Sequence, residues 1–363
     1  MRHILLYITG FLFFHTMPPL VAARPALTAL AFSPHLLMYA TAALVALIAL
    51  RSAWVMRFET LMFTLAVVSG GALLIIRDDP ATLIAGFLAL GATVPILLRH
   101  AFEDAIHRGR PIGSMLGFAS FALEAMAFSM GALATYVSAI WAQSLLVLVP
   151  LATLIWIARS RVALPQPQTA PRLNIFATIQ DVIPAVAANS AFFLFLSGIS
   201  LVGDEISPMR IGSAIAITAI GFSSGAFLSD RIRKVFPDKL LLVIFSLCGL
   251  AGGVLGSIIS LSDFPSLIFV IALCIACSNG VIISISLSSR RLRHEQAVGL
   301  PADNALVFLC ASGVVALGFT LAAGKLGPSS VWLPIILVYL VAIVAALLHR
   351  GSDAFHARLG RQK

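Results

Sequence analysis

The chain has 363 residues, of which 60% are hydrophobic and only 11% charged, with a mean hydropathy of +1.02. Soluble domains carry about 25% charged residues, so this composition excludes an ordinary soluble enzyme or binding domain. A formal net charge of +9 raises nucleic acid as a partner; the placement of that charge along the chain argues against it.

Apolar stretches of roughly 20 residues, enough to cross ~30 Å of hydrocarbon as helix, recur about twelve times. In chain order they cover 4–22, 33–50, 60–76, 81–98, 112–135, 140–158, 183–203, 209–228, 240–261, 265–288, 302–324 and 331–348. The second is short, and the seventh has a possible earlier start near Asn174, upstream of Pro184. β-barrel strands would be shorter and alternating. The predicted fold class is an all-α polytopic membrane protein with 12 transmembrane helices. With the N-terminus inside, only Arg24, Arg77, Arg210 and Lys325 of the 24 Lys and Arg lie in outside connections. That is the positive-inside pattern repeated along the chain, and it places both termini in the cytoplasm. The charge reports topology in a lipid bilayer; no nucleic-acid partner is expected.

The first span has a basic start, an apolar core and small residues near its end, so a cleaved signal peptide is the alternative to a retained helix. Its length and its repeat partner favour retention. His15 sits deep in this span, before Pro18-Pro19, which should break or kink the helix. Residues 99–110, RHAFEDAIHRGR, mix both charge signs and read as a solvated helical loop. In span 5, Glu124 lies 13 residues beyond Pro111, roughly 20 Å along a helix and near mid-membrane. A carboxyl there is a functional candidate by default, and no basic side chain at its depth is evident. His15 and Glu124 are the proton-coupling candidates, against the plainer alternative of inter-helix hydrogen bonds.

Cys248, Cys274, Cys277 and Cys310 all fall inside spans and read as packing residues. No metal set, Walker loop, HExxH or nucleophile elbow is present in the sequence. No cofactor, metal site or catalytic residue is expected, and the chain is not read as an enzyme. Gly249, Gly252, Gly253 and Gly256 form a small-residue face suited to close helix packing.

At an offset near half the chain, FLFF at 11–14 recurs as FFLF at 192–195, and Arg51 falls on Arg231. With six spans on each side, this argues for two parallel six-helix repeats. The expected organisation is an N-terminal bundle (1–158), a proline-rich cytoplasmic linker (159–173), a C-terminal bundle (174–350) and a cytoplasmic tail (351–363).

The densest charge lies in SGAFLSDRIRKVFPDKLL, residues 224–241, between spans 8 and 9. Leu228, Asp230, Arg231 and Lys234 match the signature G-x-L-x-D-R-x-G-R-R/K, with Ala226 and Arg233 in place of its glycines. Here the sequence resembles the major facilitator superfamily, twelve-span transporters built as two six-helix bundles. After span 2 only Arg51 remains of the signature, and Leu50 stands where the aspartate should be. The resemblance implies that Asp230, Arg231, Lys234 and Arg51 form a cytoplasmic latch for one access state. A carboxylate can accept from free N–H groups at a helix start. The alternative is a positive-inside anchor with an exposed ion pair, worth only ~0–1 kcal/mol.

The resemblance also implies that spans 1, 4, 7 and 10 line a central cavity. On them the candidate substrate contacts are Phe13, Phe14, Asn189, Ser190, Phe193, Ser278 and Asn279. The reading is a secondary transporter of a small organic solute working by alternating access, proton-coupled, a monomer in the bacterial inner membrane. Few fixed charges in the spans suit a neutral, zwitterionic or amphipathic solute. Export is slightly favoured over uptake; an uptake symporter and a non-transporting scramblase, sensor or assembly partner are the alternatives.

Overall fold

The computed structural model describes residues 2–22, 34–51, 64, 66–72, 79–136, 139–160, 175–201, 208–258, 266–288, 291–293, 296–298, 301–323 and 332–348. Among them are α1 (Arg2–Ala22), α2 (Pro34–Arg51), α3 (66–72), α4 (Pro80–His107), α5 (Ile112–Tyr136) and α6 (Ala139–Ser160). There follow α7 (Ile175–Leu201), α8 (Pro208–Ile232), α9 (Asp238–Ile258) and α10 (Leu267–Ser288). A small antiparallel hairpin, β1 (Arg291–Arg293) with β2 (Gln296–Val298), precedes α11 (Pro301–Ala323) and α12 (Trp332–Leu348). Each helix overlaps one expected span. Four are long and apolar enough by themselves to cross a membrane: Pro80–Ile106, Ile112–Ser129, Asp238–Ile258 and Leu267–Ser288.

The chain divides into two compact units. The first comprises Met1–Arg110, Phe118–Thr169 and Leu309–Lys325; the second comprises Pro111–Gly117, Ala170–Phe308 and Leu326–Lys363. In the first, α4 packs against both α1 and α2, and α1 also meets α6. In the second, α10 is the centre, flanked by α7, α8 and α9, while α12 closes on α7 and α9. Helix pairs α1·α4 and α2·α4 of the first unit thus have counterparts α7·α10 and α8·α10 in the second.

Local sequence explains the helix ends. Asp79 caps α4, accepting from Thr82 N at 2.9 Å and Thr82 Oγ1 at 2.6 Å, with Pro80 in the first helical turn where its missing N–H costs nothing. Gly109, at φ +60°, ends the same helix in a conformation that glycine adopts without strain. α7 starts at Ile175 and runs through Pro184. Two expectations are corrected. α1 is not broken at Pro18-Pro19 but continues to Ala22. The 99–107 segment is helical but not solvated: it extends α4 beyond the 81–98 span, and Arg99, His100 and Asp104 are buried.

In the second unit, α8 and α10 touch backbone to backbone. A Cβ on Gly225 would collide with the Cys277 carbonyl, and one on Gly280 with the Phe222 carbonyl. The α9 glycine face packs as expected, Gly249 under the Tyr339 ring and Gly256 under Trp332 of α12. Residues 159–160 of the expected linker are the end of α6; its remainder, 161–173, and the 351–363 tail lie outside the described residues.

Candidate functional site

Two helices of the first unit bring the two proton-coupling candidates together. His15 of α1 and Glu124 of α5 meet at Nδ1–Oε1 2.7 Å. The expectation of a carboxyl without a basic neighbour is thereby corrected: its neighbour is the other candidate. The side chains are 25% and 12% exposed, so the pair is largely but not wholly withdrawn from solvent. Either an imidazolium N–H donates to a carboxylate, or a carboxyl O–H donates to the bare nitrogen of a neutral ring; one proton serves both. α1 supplies a framework that the sequence reading overlooked. Tyr7 stacks on Phe11 at 4.7 Å, and Phe11 meets the His15 ring edge-on at 6.4 Å. These residues are spaced by four and therefore share one helix face. One turn on, Thr16 returns its hydroxyl to the Leu12 carbonyl, and Thr9 donates to Thr153 of α6.

The start of α5 belongs to the second unit, and Asp230 of α8 holds it. Its carboxylate accepts from Gly113 N at 3.2 Å, Ser114 N at 2.5 Å and Ser114 Oγ at 2.7 Å. These are free N–H groups of a helix N-terminus, where a negative charge also meets the positive end of the helix dipole. Gly113 allows the approach, because a Cβ there would meet the Ala226 carbonyl, and Asp230 Oδ1 at 2.7 Å. One turn later Gly117 lies under the Phe227 ring. Gly113-x-x-x-Gly117 was a readable signal for this seat.

The remaining charges of the stretch are used differently. Arg231 and Lys234 are exposed. Arg233, the departure from the signature, binds Asp238 at the start of α9 through Nε and an Nη, both at 2.8 Å, and donates to Ser288 Oγ on α10. The side chain of Arg51 lies outside the described residues, as do those of Phe14 and Phe193.

Most substrate-contact candidates are occupied by packing. Phe13 is buried, its ring close against Gly71. Ser190 and Ser278 donate to the Val186 and Cys274 carbonyls of their own helices at 2.7 Å. Asn279 is fully buried and its Oδ1 accepts from Tyr339 at 3.2 Å. Asn189 is only half-buried.

A further charged cluster joins the ends of α1 and α4, where the sequence suggested a solvated loop. His3 Nδ1 lies 3.2 Å from Asp104 Oδ2, Arg108 Nε donates to Oδ1 at 3.0 Å, and Arg2 Nε is 3.9 Å away. The buried Asp104 carboxylate is thus met by His3, Arg108 and Arg2 from two helix ends. Arg99 pairs with Glu103 at 2.8 Å. Among the described residues no group of three or more His, Cys, Asp or Glu side chains is placed to hold a metal.

No family model matches the chain, and no curated protein matches it. Solved structures do. A major facilitator superfamily transporter, FucP, in its outward conformation superposes with a TM-score of 0.66 at 14% identity, covering 96% of both chains. A variant of the E. coli fucose:proton symporter FucP gives 0.63 at 15% identity, covering 95% of this chain and 96% of the other. The chain has the major facilitator fold.

Proposed function

We propose that the chain is a multi-pass membrane transporter that moves a small organic solute by alternating access of two six-helix bundles, coupled to protons through His15 and Glu124. The observation that carries this reading is the 2.7 Å contact between them. An imidazole and a carboxyl that share one proton are neutral together. Adding a second proton, or removing the shared one, leaves a net charge within hydrocarbon, which is costly. The pair therefore changes protonation when water or solute reaches it, and that dependence is what coupling requires.

The likeness to a fucose:proton symporter supports proton coupling. It also favours uptake by symport as the second reading beside the export expected from the sequence. Twelve spans related as two repeats, cytoplasmic termini, a bacterial inner membrane and a monomeric state complete the proposal. Asp230 is its latch residue: leaving Gly113 and Ser114 in a moved state would uncover a carboxylate and two N–H groups. Reconstituted protein should accumulate a neutral solute, with fucose and other monosaccharides tested first, when an inward proton gradient is imposed. Collapse of the gradient should abolish the accumulation. Identical flux with and without the gradient, across solutes that the protein does carry, would contradict the coupling.

A further inference from the structure

The cluster at the ends of α1 and α4 contains a histidine that no hydrogen bond explains. His100 is 3% exposed, and among the described residues neither ring nitrogen has a hydrogen-bond partner. Its nearest carboxylate oxygen, Glu103 Oε2, is 3.7 Å from Nδ1, beyond hydrogen-bond range, while Glu103 Oε1 is bonded to Arg99. Arg2 is also buried, and its Nε has no hydrogen bond among the described residues, only the 3.9 Å ion pair with Asp104. A buried polar group without a partner destabilises the arrangement that buries it. Here two such groups sit at one helix–helix contact, and both would gain by meeting water. The closed contact is thus poised against an open one.

We infer that His100 is a proton-operated release for the adjoining ends of α1 and α4: the ring is neutral while the ends are together and takes a proton when they part. The charged groups around it are those of the cluster: Arg2 and His3 from α1, and Arg99, Glu103, Asp104 and Arg108 from its own helix. The other titratable residues on the packed helices are Tyr7 of α1, His107 of α4, and His35, Tyr39 and Arg51 of α2; the side chains of the last four lie outside the described residues. A hydrated histidine titrates near 6.5. The sign follows: closure is favoured above pH 6.5, where the ring is neutral in both forms, and is progressively lost as pH falls below it. With the enclosed ring neutral and the hydrated one titrating near 6.5, the open-to-closed ratio rises about tenfold between pH 7.5 and 5.5. The inference does not depend on transport.

Backbone amide exchange of the full-length protein in lipid nanodiscs reads it directly. After correction for the intrinsic pH dependence of exchange, amides of residues 2–8 and 99–107 should show a tenfold rise in opening between pH 7.5 and 5.5. His100→Gln should remove the rise. His3→Gln, whose ring already has Asp104 as partner, should keep it, as should Glu124→Gln at the proposed coupling pair. If His100→Gln does not fold, His100→Phe decides, because an apolar ring of similar size takes no proton and should abolish the rise in the same way. Wild-type opening unchanged with pH, or a full tenfold rise retained in His100→Gln or His100→Phe, would overturn the inference.

Discussion

α4 packs on two helices of its unit and α10 on three of its own, yet the two are built from opposite chemistry. α4 ends in Arg99, His100, Glu103, Asp104 and, just past it, Arg108, and its unit also holds the His15–Glu124 pair. α10 has no charged residue; its polar groups are serines and Asn279, and Gly280 meets the α8 backbone. The difference teaches where each helix is vulnerable. α4 keeps titratable groups in low-dielectric surroundings, so protonation alters its energy. α10 relies on shape, so volume does.

The largest effect should come from breaking that shape. Gly280→Leu drives a side chain into the Phe222 carbonyl, and overpacking of this kind costs about 1–3 kcal/mol or more; the variant should fail to elute as a monodisperse species. Next, Glu124→Ala leaves His15 largely buried without its partner, a loss of about 1–3 kcal/mol. A double-mutant cycle with His15→Ala, followed by thermal unfolding in detergent, should recover much of it. Asp230→Ala removes the acceptor for Gly113 and Ser114, and loss of such a cap costs about 1 kcal/mol. Asp230→Asn should shift disulfide cross-linking between inward- and outward-open states; an unchanged distribution would reduce Asp230 to an anchor. The smallest effect is expected from Tyr339→Phe, which unmakes a buried bond to Asn279. Hydrogen bonds within membranes average about 0.6 kcal/mol, so unfolding should shift slightly and with the same size at every pH.

The helices were legible because runs of about twenty apolar residues mark where each can lie. The α9 glycines were readable as well, since only a small residue permits the contact that Tyr339 and Trp332 make. Side-chain partnerships across the fold were not. His15 and Glu124 are separated by 109 positions, and only the contact between their side chains reveals them as one site. Asp230 was recognised from its motif, but its partners at the start of α5 lie 116 and 117 positions earlier. The cluster on 99–107 was misread because alternating charge resembles a solvated surface, whereas Asp104 and its neighbours satisfy much of one another's charge inside the protein.

The proposed coupling is tested most directly by separating solute exchange from proton-driven accumulation in the same proteoliposomes. With a carried solute on both sides, Glu124→Gln should exchange it at close to the wild-type rate, because alternation with solute bound needs no change in protonation. Under an imposed proton gradient and no solute inside, the same variant should fail to accumulate it while wild type does. Accumulation by Glu124→Gln at the wild-type level would contradict the account.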